Sequence, residues 1–214
     1  MTIIDWISSN WIEFFGAISG VIYVFLEIRQ NIWLWPVGII TSAVYIIVFF
    51  TSKFYADMSL QVYYLVISCV GWYWWVRGAG RRAQGTGQEE SKRLRDEGTE
   101  RLSVTRLTLK TGMVLAIIFV FLYFLLWFAL SKLTDSPVPE WDSFITSLSI
   151  IATWMLARKI YEHWFLWIVV NSASSVIFLT RGLYPTVLLY LVYLVMSFVG
   201  IKVWKRSLDK HPSS

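Results

Sequence analysis

The sequence predicts an all-α integral membrane protein: seven transmembrane helices set out as two three-helix units joined by a connector helix. Three observations carry that reading. First, 214 residues that are 57% hydrophobic and 15% charged, with a mean hydropathy of +0.57, have too little polar surface to cover a soluble globule. Second, stretches of one apolar half reappear in the other. Third, the basic residues alternate in density between the two sides that seven crossings define.

A hydrocarbon core of about 30 Å takes roughly 20 apolar residues per helix. Windows of that kind fall at 10–28, 33–52, 57–76, 111–131, 142–158, 162–180 and 185–204. Helix 1 reads as a retained span, because Asp5 and Glu13 stand where a secretion signal would be cationic. Helix 2 has Pro36 in its first turn and helix 7 has Pro185 in its own, positions where proline starts a helix; Pro36, Gly38 and Pro185 are also the candidate hinges. Cys69 in helix 3 has no disulfide partner and reads as a small buried hydrophobe. The chain therefore divides into a first bundle (1–76), a charged cytoplasmic loop (77–110), a connector helix (111–131), a second bundle (132–204) and a cytoplasmic tail (205–214). Gly78, Gly80, Gly85 and Gly87 among mixed charges mark the loop as solvated and mobile.

Seven crossings put 16 of the 19 Lys and Arg on one side, from Arg29 through the central loop to Arg158, Lys159 and Lys210. Only Lys53, Lys132 and Arg181 fall on the other side. The dense side is cytoplasmic by the positive-inside rule, leaving the N-terminus outside and the C-terminus inside. The basic balance is thus a topology signal beside anionic lipid, and no nucleic-acid partner is needed to explain it.

Trp35, Val37, Ser42 and Val44 reappear, at one constant offset, as Trp167, Val169, Ser174 and Val176. At a second offset, shorter by three positions, Leu60, Tyr64, Ser68, Gly71 and Trp75 reappear as Leu189, Tyr193, Ser197, Gly200 and Trp204. Four spans separate equivalent helices, and an even number preserves direction, so the repeats are parallel. This is a 3+1+3 plan, SWEET-like, with substrate expected between the bundles, and it points to a transporter.

Helical spacing puts Trp164, Trp167 and Asn171 on one face of helix 6, with Ser174 and Ser175 beyond. Helix 7 shows Tyr190, Tyr193, Ser197, Gly200 and Trp204; helix 3 shows Gln61, Tyr64, Ser68, Gly71 and Trp75. Thr41 and Ser42 lie at similar depth in helix 2. A buried amide is costly unless paired, so Asn171 either bonds another helix or faces a polar cavity. An indole-walled face suits a flat cationic ring. The candidate substrate-binding set is Trp164, Trp167, Asn171, Gln61, Tyr64, Thr41, Ser42, Ser174, Tyr190, Tyr193 and Trp35.

No ionisable residue falls in the middle third of a helix, Glu13 and Glu27 lying near the ends of helix 1 and Glu162 and His163 opening helix 6. That favours uncoupled facilitated diffusion. His163 reads as an interfacial polar residue. With His211 the only other histidine, no metal site is expected, nor is a cofactor or an enzyme: the chain shows no P-loop, no paired buried carboxylates and no nucleophile with a base.

The run from Glu162 to Asn171 resembles the Trp-x-x-Trp-x-x-x-Asn signature of the PnuC vitamin transporters, whose best known members carry nicotinamide riboside. Trp141-Asp142-Ser143, Arg158-Lys159, Phe54-Tyr55-Ala56-Asp57 through Gln61, and Gly71-Trp72-Tyr73 extend the resemblance over nearly the whole chain. It implies a bacterial inner-membrane protein, frequent homotrimerisation, and uptake driven by phosphorylation of the vitamin by a cytoplasmic kinase. It also implies that Trp164, Trp167 and Asn171 contact the ligand, with help from Gln61. Family members often carry Asn where this chain has Thr41, and relatives carry thiamine or riboflavin, so those vitamins are the alternative substrates.

Overall fold

The computed structural model describes residues 11–51, 55–77, 103–134 and 137–210. The mobile-loop reading of 78–102, and the expectations for Asp5, Lys53, Phe54 and His211, lie outside them. Among the described residues seven helices follow in order: α1 (Trp11–Ile28), α2 (Leu34–Thr51), α3 (Tyr55–Arg77), α4 (Leu109–Leu133), α5 (Pro139–Ala157), α6 (His163–Thr180) and α7 (Tyr184–Lys210). Among the described residues there is no β-strand, only an isolated parallel bridge between Thr105 and Ile160.

Four helices, α2, α4, α6 and α7, are long and apolar enough to cross a membrane by length and composition, and α1 holds a shorter apolar stretch, Phe14–Ile28. The reason α5 falls short is instructive. Ser143, Ser147, Ser149 and Thr153 dilute its hydropathy, yet all four are buried, because α4 and α6 pack against it. Ser143, Ser149 and Thr153 donate to carbonyls one turn earlier at 2.6 to 2.8 Å. A helix sheathed by protein has no need to be apolar itself.

Contacts divide the chain into two compact units, Met1–Trp72 and Tyr73–Ser214. In the first, α1 packs on α2; in the second, α4 packs on α5, α5 on α6 and α6 on α7. Ile151, Met155 and Ile160 form a buried cluster in the second unit, covered by Leu107, Leu115, Phe119 and Leu166. α7 runs on to Lys210 with Trp204 and Leu208 buried, so most of the expected tail is helix.

Three helices end in one way. At the end of α1, Gln30 takes φ +52°, its N–H donates to the Glu27 carbonyl at 3.0 Å, and the Asn31 N–H donates to the Leu26 carbonyl at 2.9 Å. At the end of α5, Lys159 takes φ +51° and donates to the Leu156 carbonyl, and Ile160 donates to Met155, both at 2.9 Å. Gly182 and Leu183 repeat the pattern after α6. This six-to-one closure satisfies carbonyls that a helix end would strand. Gln30 and Lys159 are related by the same offset in numbering that relates Ser68 and Gly71 of α3 to Ser197 and Gly200 of α7.

The segment ahead of α4 departs from the expected solvated loop. The Thr105 N–H donates to the Lys159 carbonyl at 3.0 Å, Tyr161 donates to the Thr105 carbonyl at 2.9 Å, and Leu107 donates to the Glu162 carboxylate at 2.7 Å. Val104 is buried. Burial pushes the Tyr161 phenol up from its ordinary pKa, with Glu162 adding to the effect and Arg106 opposing it. The charges around this segment masked its short apolar anchor.

Candidate functional site

In the second unit the polar-aromatic residues of α6 and α7 converge. The close packing of the two helices depends on Gly200, where a Cβ would come within 2.5 Å of the Trp164 ring. Trp164 is almost fully buried, edge-on to Trp204 at 5.9 Å, and His163 lies 4.7 Å from Trp164 and 4.6 Å from Trp204. His163 is therefore a buried member of an aromatic cluster and not the interfacial residue that its place in the sequence suggests. Its Nδ1 meets the Ile160 carbonyl at 2.7 Å, which settles its polarity locally.

One turn deeper stands Trp167, and one turn beyond it Asn171. The Asn171 amide donates to the Ser197 hydroxyl of α7 at 3.3 Å, and Ser197 in turn donates to the Tyr193 carbonyl at 2.8 Å. Ser174 is buried and hydrogen-bonded to the Tyr190 phenol, and the Tyr190 ring meets Tyr193 edge-on at 5.9 Å. Ser197 was visible on the face of α7, but only the helix pairing shows that it holds Asn171. The buried indole N–H groups of Trp164 and Trp167 have no hydrogen-bond partner among the described residues, and neither has the Ser147 hydroxyl of α5. Buried donors left unpaired cost roughly 1 to 3 kcal/mol each, so two indole donors beside a carboxamide are suited to a polar guest.

The first unit repeats part of this construction. A Cβ on Gly71 would collide with the fully buried Trp35 ring. The offset that carries Gly71 onto Gly200 and Ser68 onto Ser197 also carries Trp35 onto Trp164. Geometry thus sets Trp35 against Trp164, one helical turn from the Trp167 that residue identity along helices 2 and 6 selects. By the same register Ser42, which is buried, matches Asn171. Tyr64 lies 5.6 Å from Tyr63, while Gln61 and Thr41 are half-buried on α3 and α2. Cys69 is exposed, contrary to expectation, because it falls on the stripe of Val62, Val66, Tyr73 and Val76, away from the Tyr64, Ser68 and Gly71 face.

Elsewhere, a groove of about 750 Å³ runs along α4 between Ala116 and Phe128, lined by that helix alone. It is almost wholly apolar and offers no chemistry for a polar solute. No His, Cys, Asp and Glu group able to hold a metal occurs among the described residues.

A multi-pass helical membrane protein with an indole and carboxamide face inside a helical bundle belongs to the transporters. The particular family is settled by comparison: residues 10–206 match the nicotinamide mononucleotide transporter family model, and the chain belongs to that family, the PnuC transporters, which are not enzymes. It is 28% identical to the nicotinamide riboside transporter PnuC of Escherichia coli (strain K12), over 92% of this chain and 86% of that one. It is 24% identical to the riboflavin/roseoflavin transporter RibM of Streptomyces davaonensis, over 91% and 84%. Among solved structures, the crystal structure of the vitamin B3 transporter PnuC superposes with a TM-score of 0.69 at 23% identity, covering 94% of this chain and 83% of that one, which speaks for the fold.

Proposed function

We propose that the protein carries nicotinamide riboside across the bacterial inner membrane by facilitated diffusion, with uptake drawn forward by intracellular phosphorylation. The observation that carries this is the α6 face: two buried indole N–H donors without partners among the described residues, one and two turns from an amide anchored on Ser197. A flat cationic ring can lie against the indoles while its carboxamide and ribose hydroxyls take up polar groups. Trp164, Trp167, Asn171, Ser174, Tyr190 and Tyr193 are the proposed contacts from the second unit. Gln61, Tyr64, Thr41, Ser42 and Trp35 are those from the first.

The shared turns, the shared tryptophan and glycine packing, and their common offset support a parallel SWEET-like 3+1+3 arrangement. The distribution of Lys and Arg supports seven crossings with the N-terminus outside and the C-terminus in the cytoplasm. A homotrimer and a trapping kinase complete the proposal on family grounds. Riboflavin is a second reading, favoured by the likeness to RibM. Calorimetric titration of the purified protein with nicotinamide riboside, its mononucleotide, thiamine and riboflavin separates these. Micromolar binding of nicotinamide riboside is expected, and binding of none of the four would overturn the reading.

A further inference from the structure

His163 opens α6 and has no exposed surface, yet the proposed site gives its imidazole no part. The other unit shows that packing alone does not call for it. The register that matches Trp164 with Trp35 and Gly200 with Gly71 matches His163 with Leu34. Both residues follow the same kind of turn: the His163 N–H donates to the Ile160 carbonyl at 3.3 Å, and the Leu34 N–H to the Asn31 carbonyl at 3.1 Å. Leu34 is fully buried as well, and the tryptophan after it lies against a glycine as Trp164 does. An aliphatic side chain therefore completes this arrangement in one unit, and the imidazole contributes something other than volume in the second.

Its contribution is a polar anchor joined to a directed ring contact. The Ile160 carbonyl can only accept, so Nδ1 carries the proton in the 2.7 Å bond between them. Ile160 is itself held: its N–H donates to the Met155 carbonyl at 2.9 Å, and Lys159 and Tyr161 on either side are bonded to Thr105. From this fixed point the imidazole meets the Trp164 ring at 4.7 Å with a tilt of 41°, and the Trp204 ring at 4.6 Å with a tilt of 62°. Trp204 in turn stands edge-on to Trp164. Ring pairs favour offset and edge-on geometries, so two ring neighbours set the rotation of the Trp164 indole in a way that leucine cannot. The indole so oriented is one whose buried N–H has no hydrogen-bond partner among the described residues.

Resting on the vitamin-carrier reading above, we propose that His163 is a positioning residue for substrate recognition. Anchored on Ile160, it holds the Trp164 indole in the orientation that keeps its N–H for the polar groups of the substrate. It acts through Trp164 and does not itself touch the substrate.

The test is isothermal titration with nicotinamide riboside, or with riboflavin if the wild type binds that instead. His163→Leu installs the side chain of the other unit, and is expected to weaken binding about tenfold while the Tm stays within about 3 °C. His163→Asn returns an amide N–H near the place of Nδ1 and should bind within about threefold of the wild type, whereas His163→Gln carries its amide past that place and should resemble His163→Leu. Trp164→Phe keeps a ring and loses the N–H; in that background His163→Leu should cost less than about twofold more. A His163→Leu affinity within about twofold of the wild type would overturn the proposal. Full multiplication of the two single losses in the double variant, or equal affinities of the Asn and Gln variants, would do the same. A His163→Leu protein that fails to fold would make the imidazole a requirement of packing and overturn it too. Failure of the wild type to bind any vitamin would instead remove the carrier reading on which the proposal rests.

Discussion

At Asn171 a packing bond and the proposed recognition meet in one residue. Its amide has two N–H donors and one carbonyl, and the bond to Ser197 uses a single donor. Asn171→Ala is expected to weaken vitamin binding at least tenfold while costing about 1 kcal/mol in stability, the worth of one hydrogen bond; titration and thermal unfolding of the same preparation check both. Trp167→Ala should abolish binding with the protein still inserted, since the indole carries a donor that the fold leaves unused. Asn171 and Trp167 were legible because polar and aromatic groups stand out in an apolar helix. The Ser197 partnership, the burial of His163 and the exposure of Cys69 were not, because each depends on how a helix is rotated toward its neighbours, and α3 and α6 are nearly as apolar on one side as on the other.

At the level of the element, the helix bounds were legible to within a few residues, except that α7 runs on to Lys210, and the tryptophan and glycine pairs explain why α3 and α7 preserve the same small residue. Gly200→Ala forces Trp164 to move and should cost roughly 1 to 3 kcal/mol, seen as a lower Tm. The left-handed residues give a sharper contrast. Gln30→Gly relieves an unfavourable backbone conformation and should stabilise by about 1 kcal/mol. Lys159→Gly should be close to neutral, because the Lys159 ammonium sits 4.2 Å from the Trp75 ring centre and the relief is offset by loss of that attraction. What the sequence hid was the segment before α4. Its hydrogen bonds to Lys159, Tyr161 and Glu162 reach across the whole of α4 and α5, and no local pattern announces such a pairing.

For the whole molecule, composition alone established the membrane class, and family membership followed from motifs spread along the chain. Purified protein in liposomes should exchange nicotinamide riboside down its own gradient with no proton or sodium gradient imposed; strict dependence on either ion would refute uncoupled transport. The turns after α1 and α5 bear on how the chain reaches the bilayer. Each is closed by backbone bonds among residues within a few positions of one another. The α1–α2 and α5–α6 pairs can therefore enter the membrane as preformed hairpins during synthesis, and in the proposed orientation their turns, with Arg29 and with Arg158 and Lys159, are the basic ends that resist translocation. Lengthening the Arg29–Trp33 or Arg158–Glu162 connection would then reduce biogenesis before it touched affinity.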